Sequence, residues 1–141
     1  VIYNTTLNIK ATNTAISIQV GKPFSLLKRI RLGGIGSGKM QIETTSENIR
    51  PFLNASHYPT YASIELRPNG ILIHINQGLR NFCWPIPYYQ LSIYRTEFIT
   101  IYGSGSFIRF SSNQTKHFNF IKKILDEKIK WSTHLFNDII R

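Results

Sequence analysis

The residues of this chain that could do chemistry are few and widely spaced. Four histidines, His57, His74, His117 and His134, are scattered, and none stands with carboxylates or with the lone Cys83 at a metal-ligand spacing such as His-Glu-x-x-His. No metal and no cofactor are expected. His74 alternates with Ile73 and Ile75, the placing of a surface or cross-strand residue rather than a base. Ser104 and Ser106 sit in a glycine-bracketed turn and lack the Gly-x-Ser-x-Gly nucleophile elbow. The seven carboxylates are Glu43, Glu47, Glu65, Glu97, Asp126, Glu127 and Asp138, so acid–base work by a pair would require two of them to meet in space. The chain therefore displays no catalytic constellation and reads as a non-enzyme.

One glycine run imitates a nucleotide site. Gly33, four further residues, then Gly38 and Lys39 match the spacing of a phosphate loop. Three features oppose it. Met40 stands where a hydroxyl should hold magnesium, the following residues read as a strand instead of a helix, and no parallel βαβ scaffold follows. The expectation is a glycine turn between two strands.

Charge offers a better lead. Seventeen basic against seven acidic residues give a net charge of +10, which serves either as a solvated face or as attraction for an anionic partner. Lys28, Arg29 and Arg31, flanked by Lys22 and Lys39, form the one local concentration on a loop or short helix, and these five are the candidate ligand contacts. Lys122, Lys123, Lys128 and Lys130 are partly balanced by Asp126 and Glu127 and read as a solvated helix face. Tyr88, Tyr89, Tyr94, Phe98 and Tyr102 lie near Arg80, Arg95 and Arg109 and could stack bases. Alternation assigns most of these aromatics to the core, and no ribonucleoprotein signature is present, so nucleic acid is disfavoured. Trp84 is expected to anchor its own segment.

These residues must be held by a scaffold, and its second half is the more legible. Ala62, Ile64 and Leu66 alternate with Ser63, Glu65 and Arg67, a half-buried strand. Asn69-Gly70 should reverse the chain with positive φ at both turn positions, returning it as a strand over residues 71–76. Residues 77–81 form the next turn. In the segment 82–90, Pro85 and Pro87 cannot donate to a ladder and belong at an edge or bulge. Residues 91–94, 98–102 and 107–110 continue as β runs, the last two joined by a hairpin at residues 103–105. The apolar period then changes to three and four, predicting a helix over about 116–140, roughly 37 Å long at 1.5 Å per residue. Phe118, Ile121, Leu125 and Ile129 should pack on the sheet, while the far end projects or bends near Ser132 and Thr133.

The first sixty residues are less patterned. Residues 14–20 and 39–45 look like strands, 2–9 like another, and 46–60 like an irregular connection with a short helical turn over 48–53. Neither a repeat nor a shift in composition marks a second domain, and 42% hydrophobic residues among 141 fill one core. No apolar run reaches the roughly 18 residues of a membrane span. A single cysteine excludes an internal disulfide and mildly favours a reducing compartment, so a cytoplasmic or membrane-peripheral setting is expected.

In order, the strand pair over 63–75, the segment Trp84, Pro85, Ile86, Pro87, Tyr88, the runs at 98–102 and 107–110 and the terminal helix resemble bacterial pleckstrin-homology-like (PH-like) domains. The resemblance covers about residues 61–130. It implies a mainly β domain, an antiparallel, partly open barrel or two-sheet sandwich capped by a C-terminal helix, with residues 1–60 supplying early strands and a basic loop and 131–141 extending the helix. It also implies that the loop holding Lys28, Arg29 and Arg31, between two early strands, corresponds to the variable loop that carries basic contacts in phosphoinositide-binding relatives. Two functions follow. One is an interaction module for an anionic membrane surface, a peptide or a protein partner; the other is a small-molecule carrier or enzyme using the barrel mouth.

Overall fold

A computed structural model describes residues 1–53 and 59–140. In chain order its elements are β1 (Tyr3–Asn4), α1 (Lys10–Val20), α2 (Leu26–Arg31), β2 (Met40–Thr45), a 3₁₀ turn (Arg50–Phe52), β3 (Tyr61–Arg67), β4 (Gly70–Gln77), β5 (Arg80–Pro87), a 3₁₀ turn (Tyr88–Gln90), β6 (Leu91–Arg95), β7 (Ile99–Gly103), β8 (Ser106–Ser111) and α3 (Thr115–Ile140). The strands form one antiparallel sheet in the order β1-β5-β4-β3-β2-β8-β7-β6, an open sheet capped by the C-terminal helix. β2 is the pivot. It pairs with β3 on one side and β8 on the other, and a register shift between Ile42 and Thr44 bends it there.

That bend lets the sheet curl around one core. Ile64, Ile73, Trp84 and Ile86 from one half meet Ile99, Ile101, Ile108 and Phe110 from the other. β7 approaches β5 so closely that a Cβ on Gly103 would lie 2.8 Å from the Ile86 side chain. α3 closes this core with His117, Phe120, Ile121 and Ile124 buried, and Trp131 reaches Tyr88 at 5.8 Å between ring centroids.

Several expectations change. Residues 14–20 are helical, part of α1, because Ile16 and Val20 at i, i+4 dock on Leu72 and Cys83 while Ile18 stays 79% exposed. The alternation of Ile16, Ile18 and Val20 imitated a strand. Only Tyr3–Asn4 of the segment 2–9 joins the sheet, opposite Cys83 and Phe82. On α3 the buried face is rotated: Leu125 and Ile129 are exposed, and Phe118 is half-buried. The helix runs unbroken to Ile140, and Leu135, Phe136, Ile139 and Ile140 are exposed at its far end. Gly70 does not take positive φ. The turn is Pro68-Asn69 between paired Arg67 and Gly70, and Gly70 is needed because a Cβ there would sit 2.3 Å from the Ile86 carbonyl oxygen.

Other expectations hold. β2, β3, β4, β6, β7, β8 and the 3₁₀ turn at Arg50–Phe52 lie where the sequence placed strands and a helical turn. β5 pairs along its whole length with β4, but β1 covers only Phe82 and Cys83 of its other edge, which leaves Pro85 and Pro87 beyond that cover. His57, and the part of the 46–60 connection over 54–58, lie outside the described residues.

Candidate functional site

The register of the hairpins decides what meets on the outer face of β3, β4 and β5. A two-residue turn at Gly78-Leu79 pairs Gln77 with Arg80, which carries His74 opposite Cys83, while the β3–β4 register sets His74 opposite Ser63 with Glu65 one row away. Side chains two residues apart share a face, so His74 stands between a thiol and a carboxylate. Its Nδ1 lies 3.1 Å from Cys83 Sγ and its Nε2 2.9 Å from Glu65 Oε1. Arg67 continues the chain, donating through Nε to Glu65 Oε2 and through Nη1 to the Gly21 carbonyl at 2.9 Å. Thr5 Oγ1 reaches Cys83 Sγ from the other side at 3.4 Å.

Charges along this row support one another. Burial alone would raise the Glu65 carboxyl, but hydrogen bonds from His74 and Arg67 and their positive charge hold it below its ordinary 4.5. Burial likewise disfavours a charged His74, yet hydrogen bonds to Cys83 and Glu65 and their negative charge outweigh it and hold the imidazole up to about 9.

α1 crosses this face and leaves a groove of about 560 Å³ beside it. Leu7, Ile16 and Leu72 give the groove an apolar wall, and Asn13, Asn76 and Asn81 bring amides to it. Cys83 and His74 both line it. The sequence alone keeps these residues apart because a turn over the five residues 77–81 leaves the register open. Reading Gly78-Leu79 as the turn centre was the signal that would have joined them.

The expected basic site is placed differently from its prediction. Residues 22–39 connect a helix to a strand, not two strands, because α1 replaces the early strand. Lys28, Arg29 and Arg31 lie together on α2. Lys39 lines the groove beside Tyr61, and Lys22 lines a second, more open cleft along α1 with Lys10 and Ile18. All five are exposed.

α2 itself is unusual. Ser25 caps it by accepting from the Lys28 N–H, and Arg29 Nε donates to the Phe24 carbonyl at 3.0 Å. At 100° per residue, Leu26, Leu27 and Ile30 fall on one side and Lys28, Arg29 and Arg31 on the other. A helix with such a face ordinarily buries it. Here Leu26, Leu27 and Ile30 are 73%, 71% and 68% exposed, and no residue of the helix is buried.

Backbone groups of the glycine run after α2 are engaged within the chain. The carbonyls of Gly33 and Gly34 accept from Lys123 Nζ, and the Ile35 carbonyl and Ser37 N–H bond to β3 at Leu66 and Ile64. β2 follows as a strand, so the helix that a phosphate loop needs is missing from that place. Among the described residues no cluster of three or more His, Cys, Asp and Glu is arranged to hold a metal ion, and no helix is long and apolar enough to cross a membrane. No protein-family model, curated protein or solved structure matches the chain.

Proposed function

We propose that this chain is a PH-like interaction module that docks on an anionic membrane surface through α2. The observation that carries the reading is the exposure of three aliphatic side chains and three cations on opposite sides of one rigid helical turn and a half. Such a helix lies in the headgroup layer with its apolar side down and its cations among phosphates. Its neighbourhood favours the same partner. Up to Ile42 the chain carries six cations, Lys10, Lys22, Lys28, Arg29, Arg31 and Lys39, and no Asp or Glu. An uncompensated positive field attracts an anionic surface and weakens as salt screens it.

The PH-like reading draws support from the helix-capped open sheet in which consecutive hairpins follow β2. Membrane attachment is peripheral in this reading, with no spanning segment required. The test is sedimentation with vesicles of phosphatidylcholine alone or with added phosphatidylserine. Binding is expected to the serine-containing vesicles, to fall as salt rises from 50 to about 500 mM, where the Debye length shrinks to roughly 4 Å, and to fall on K28Q/R29Q/R31Q substitution. Equal binding to both vesicles, or none to either, removes the proposal.

A further inference from the structure

The row Cys83, His74, Glu65 is a second, independent site, on the groove rather than on α2. We propose that Cys83 is a nucleophile paired with His74 and positioned by Glu65, and that it accepts an acyl group from an activated ester or thioester entering the groove. Three observations converge on it. The imidazole is bonded at both nitrogens, to sulfur at 3.1 Å and to the carboxylate at 2.9 Å, which fixes the ring and directs Nδ1 at the sulfur. The carboxylate is itself held by Arg67, so the orienting member cannot swing away. Cys83 lines a cavity of about 560 Å³ at the edge of its packing against Ile16, Val20 and Leu72, although it is only 3% exposed overall.

The groove suits an acyl donor. Leu7, Ile16 and Leu72 would take the apolar chain, and Asn76 and Asn81, paired with each other one row from His74 and Cys83 on the same face, bring amide donors toward a developing oxyanion. With the shared proton on the imidazole, sulfur attacks the carbonyl carbon. The new C–S bond forms, the bond from that carbon to the leaving oxygen or sulfur breaks, and the departing group takes the proton from His74 Nδ1. The product is a thioester on Cys83 and a neutral His74. Burial of Cys83 shields this thioester from water, so the modification accumulates one per chain.

Charged and titratable groups around the pair are Glu65, Arg67 and Tyr61 on β3, Lys39 ahead of β2 and Tyr3 on β1; α1 presents Asn13, Ile16 and Ser17. Among the described residues, Glu65 and Cys83 are the ones that bond to the imidazole. The experiment is incubation of the folded chain with p-nitrophenyl butyrate, following nitrophenolate release and locating the adduct by peptide mass spectrometry.

Wild type is expected to release one nitrophenolate per chain, with the butyryl group on Cys83. C83S should carry no adduct. H74Q should react at least about tenfold more slowly than wild type at pH 6, having lost the paired imidazole that takes and returns the proton, with the gap narrowing as pH rises, and E65Q should displace the same pH profile toward higher pH. Circular dichroism of each variant separates a lost fold from a lost reaction, and a variant that unfolds is replaced by H74N or E65D. Two results overturn the proposal: Cys83 unlabelled in the folded chain, or a rate whose pH dependence is the same with and without His74.

Discussion

Separating the two faces of α2 is the sharpest test of membrane docking, because salt weakens the contribution of the cations and leaves that of the apolar side chains nearly unchanged. Leu26, Leu27 and Ile30 are about 70% exposed, and full burial of such a side chain stabilises by about 1.5–3 kcal/mol, so moving the exposed part into acyl chain contributes about 1–2 kcal/mol each. Three of them supply about 3–6 kcal/mol as an upper bound. Each cation beside a serine-rich surface adds about 1 kcal/mol, so Lys28, Arg29 and Arg31 supply about 3 kcal/mol, roughly 100-fold in partitioning. The perturbations are L26S/L27S/I30S and K28Q/R29Q/R31Q, each assayed on vesicles containing phosphatidylserine at low and high salt. Neutralising the cations should cost roughly 100-fold at 50 mM salt and little at 500 mM, because screening has already removed that attraction from wild type. The serine variant should lose affinity by a similar or larger factor, and by nearly the same factor at both salts. Identical salt dependence in the two variants refutes the reasoning, since the helix would then act only as a diffuse charge.

Three further outcomes test the scaffold. Gly70→Ala should destabilise by about 3 kcal/mol or more in urea titration, because its Cβ meets backbone at 2.3 Å, whereas at Gly103 a Cβ meets only side chains, Ile86 at 2.8 Å and Trp84 at 3.2 Å, and should cost less. Ile124→Ala should cost about 2–5 kcal/mol and Leu125→Ala under about 1 kcal/mol, since the first is fully buried and the second 39% exposed; equal losses would mean that a different face of α3 is docked. Raising pH should destabilise the fold through His74. Its folded value of about 9 exceeds the ordinary 6.5, so the stabilisation is complete below about 6.5 and is lost as pH climbs through about 9. Melting curves of wild type and H74Q should therefore converge at high pH, and a constant gap from pH 6 to 10 would contradict the paired imidazole.

What was legible in the sequence follows from how local its causes are. The alternation of Ile71, Ile73 and Ile75 and the Ser104-Gly105 turn act within a few residues, and the strands appear where these features place them. The face of α3 was harder, because a stripe nearly half the helix wide leaves its rotation to the sheet, and the sheet selects Phe120 and Ile124 over Leu125 and Ile129. α1 lay beyond local reading. Its helical state rests on Ile16 and Val20 finding Leu72 and Cys83 more than fifty residues away, against weak intrinsic propensity and without a side-chain cap. The Cys83–His74–Glu65 row was hidden for a related reason: two hairpin registers must both be known before three unremarkable residues become neighbours.

The same docking of α1 explains why α2 can stay exposed without being loose. On its N-terminal side, Val20 is buried, Gly21 gives its carbonyl to Arg67, and Phe24 packs on the core. On its C-terminal side, Lys123 holds the carbonyls of Gly33 and Gly34, and the Ile35 carbonyl and Ser37 N–H bond to β3. Six residues thus bridge two fixed points, and their apolar side is kept from the core by its own tethers. Ordering a free hexapeptide on a surface would cost about 1–2 kcal/mol per residue in backbone entropy, enough to cancel the whole apolar gain estimated for Leu26, Leu27 and Ile30. Because the fold has already met that cost, nearly all of the contact energy is left for binding. Cutting either tether, as in Arg67→Met or Lys123→Met, should therefore weaken vesicle binding although neither residue belongs to α2.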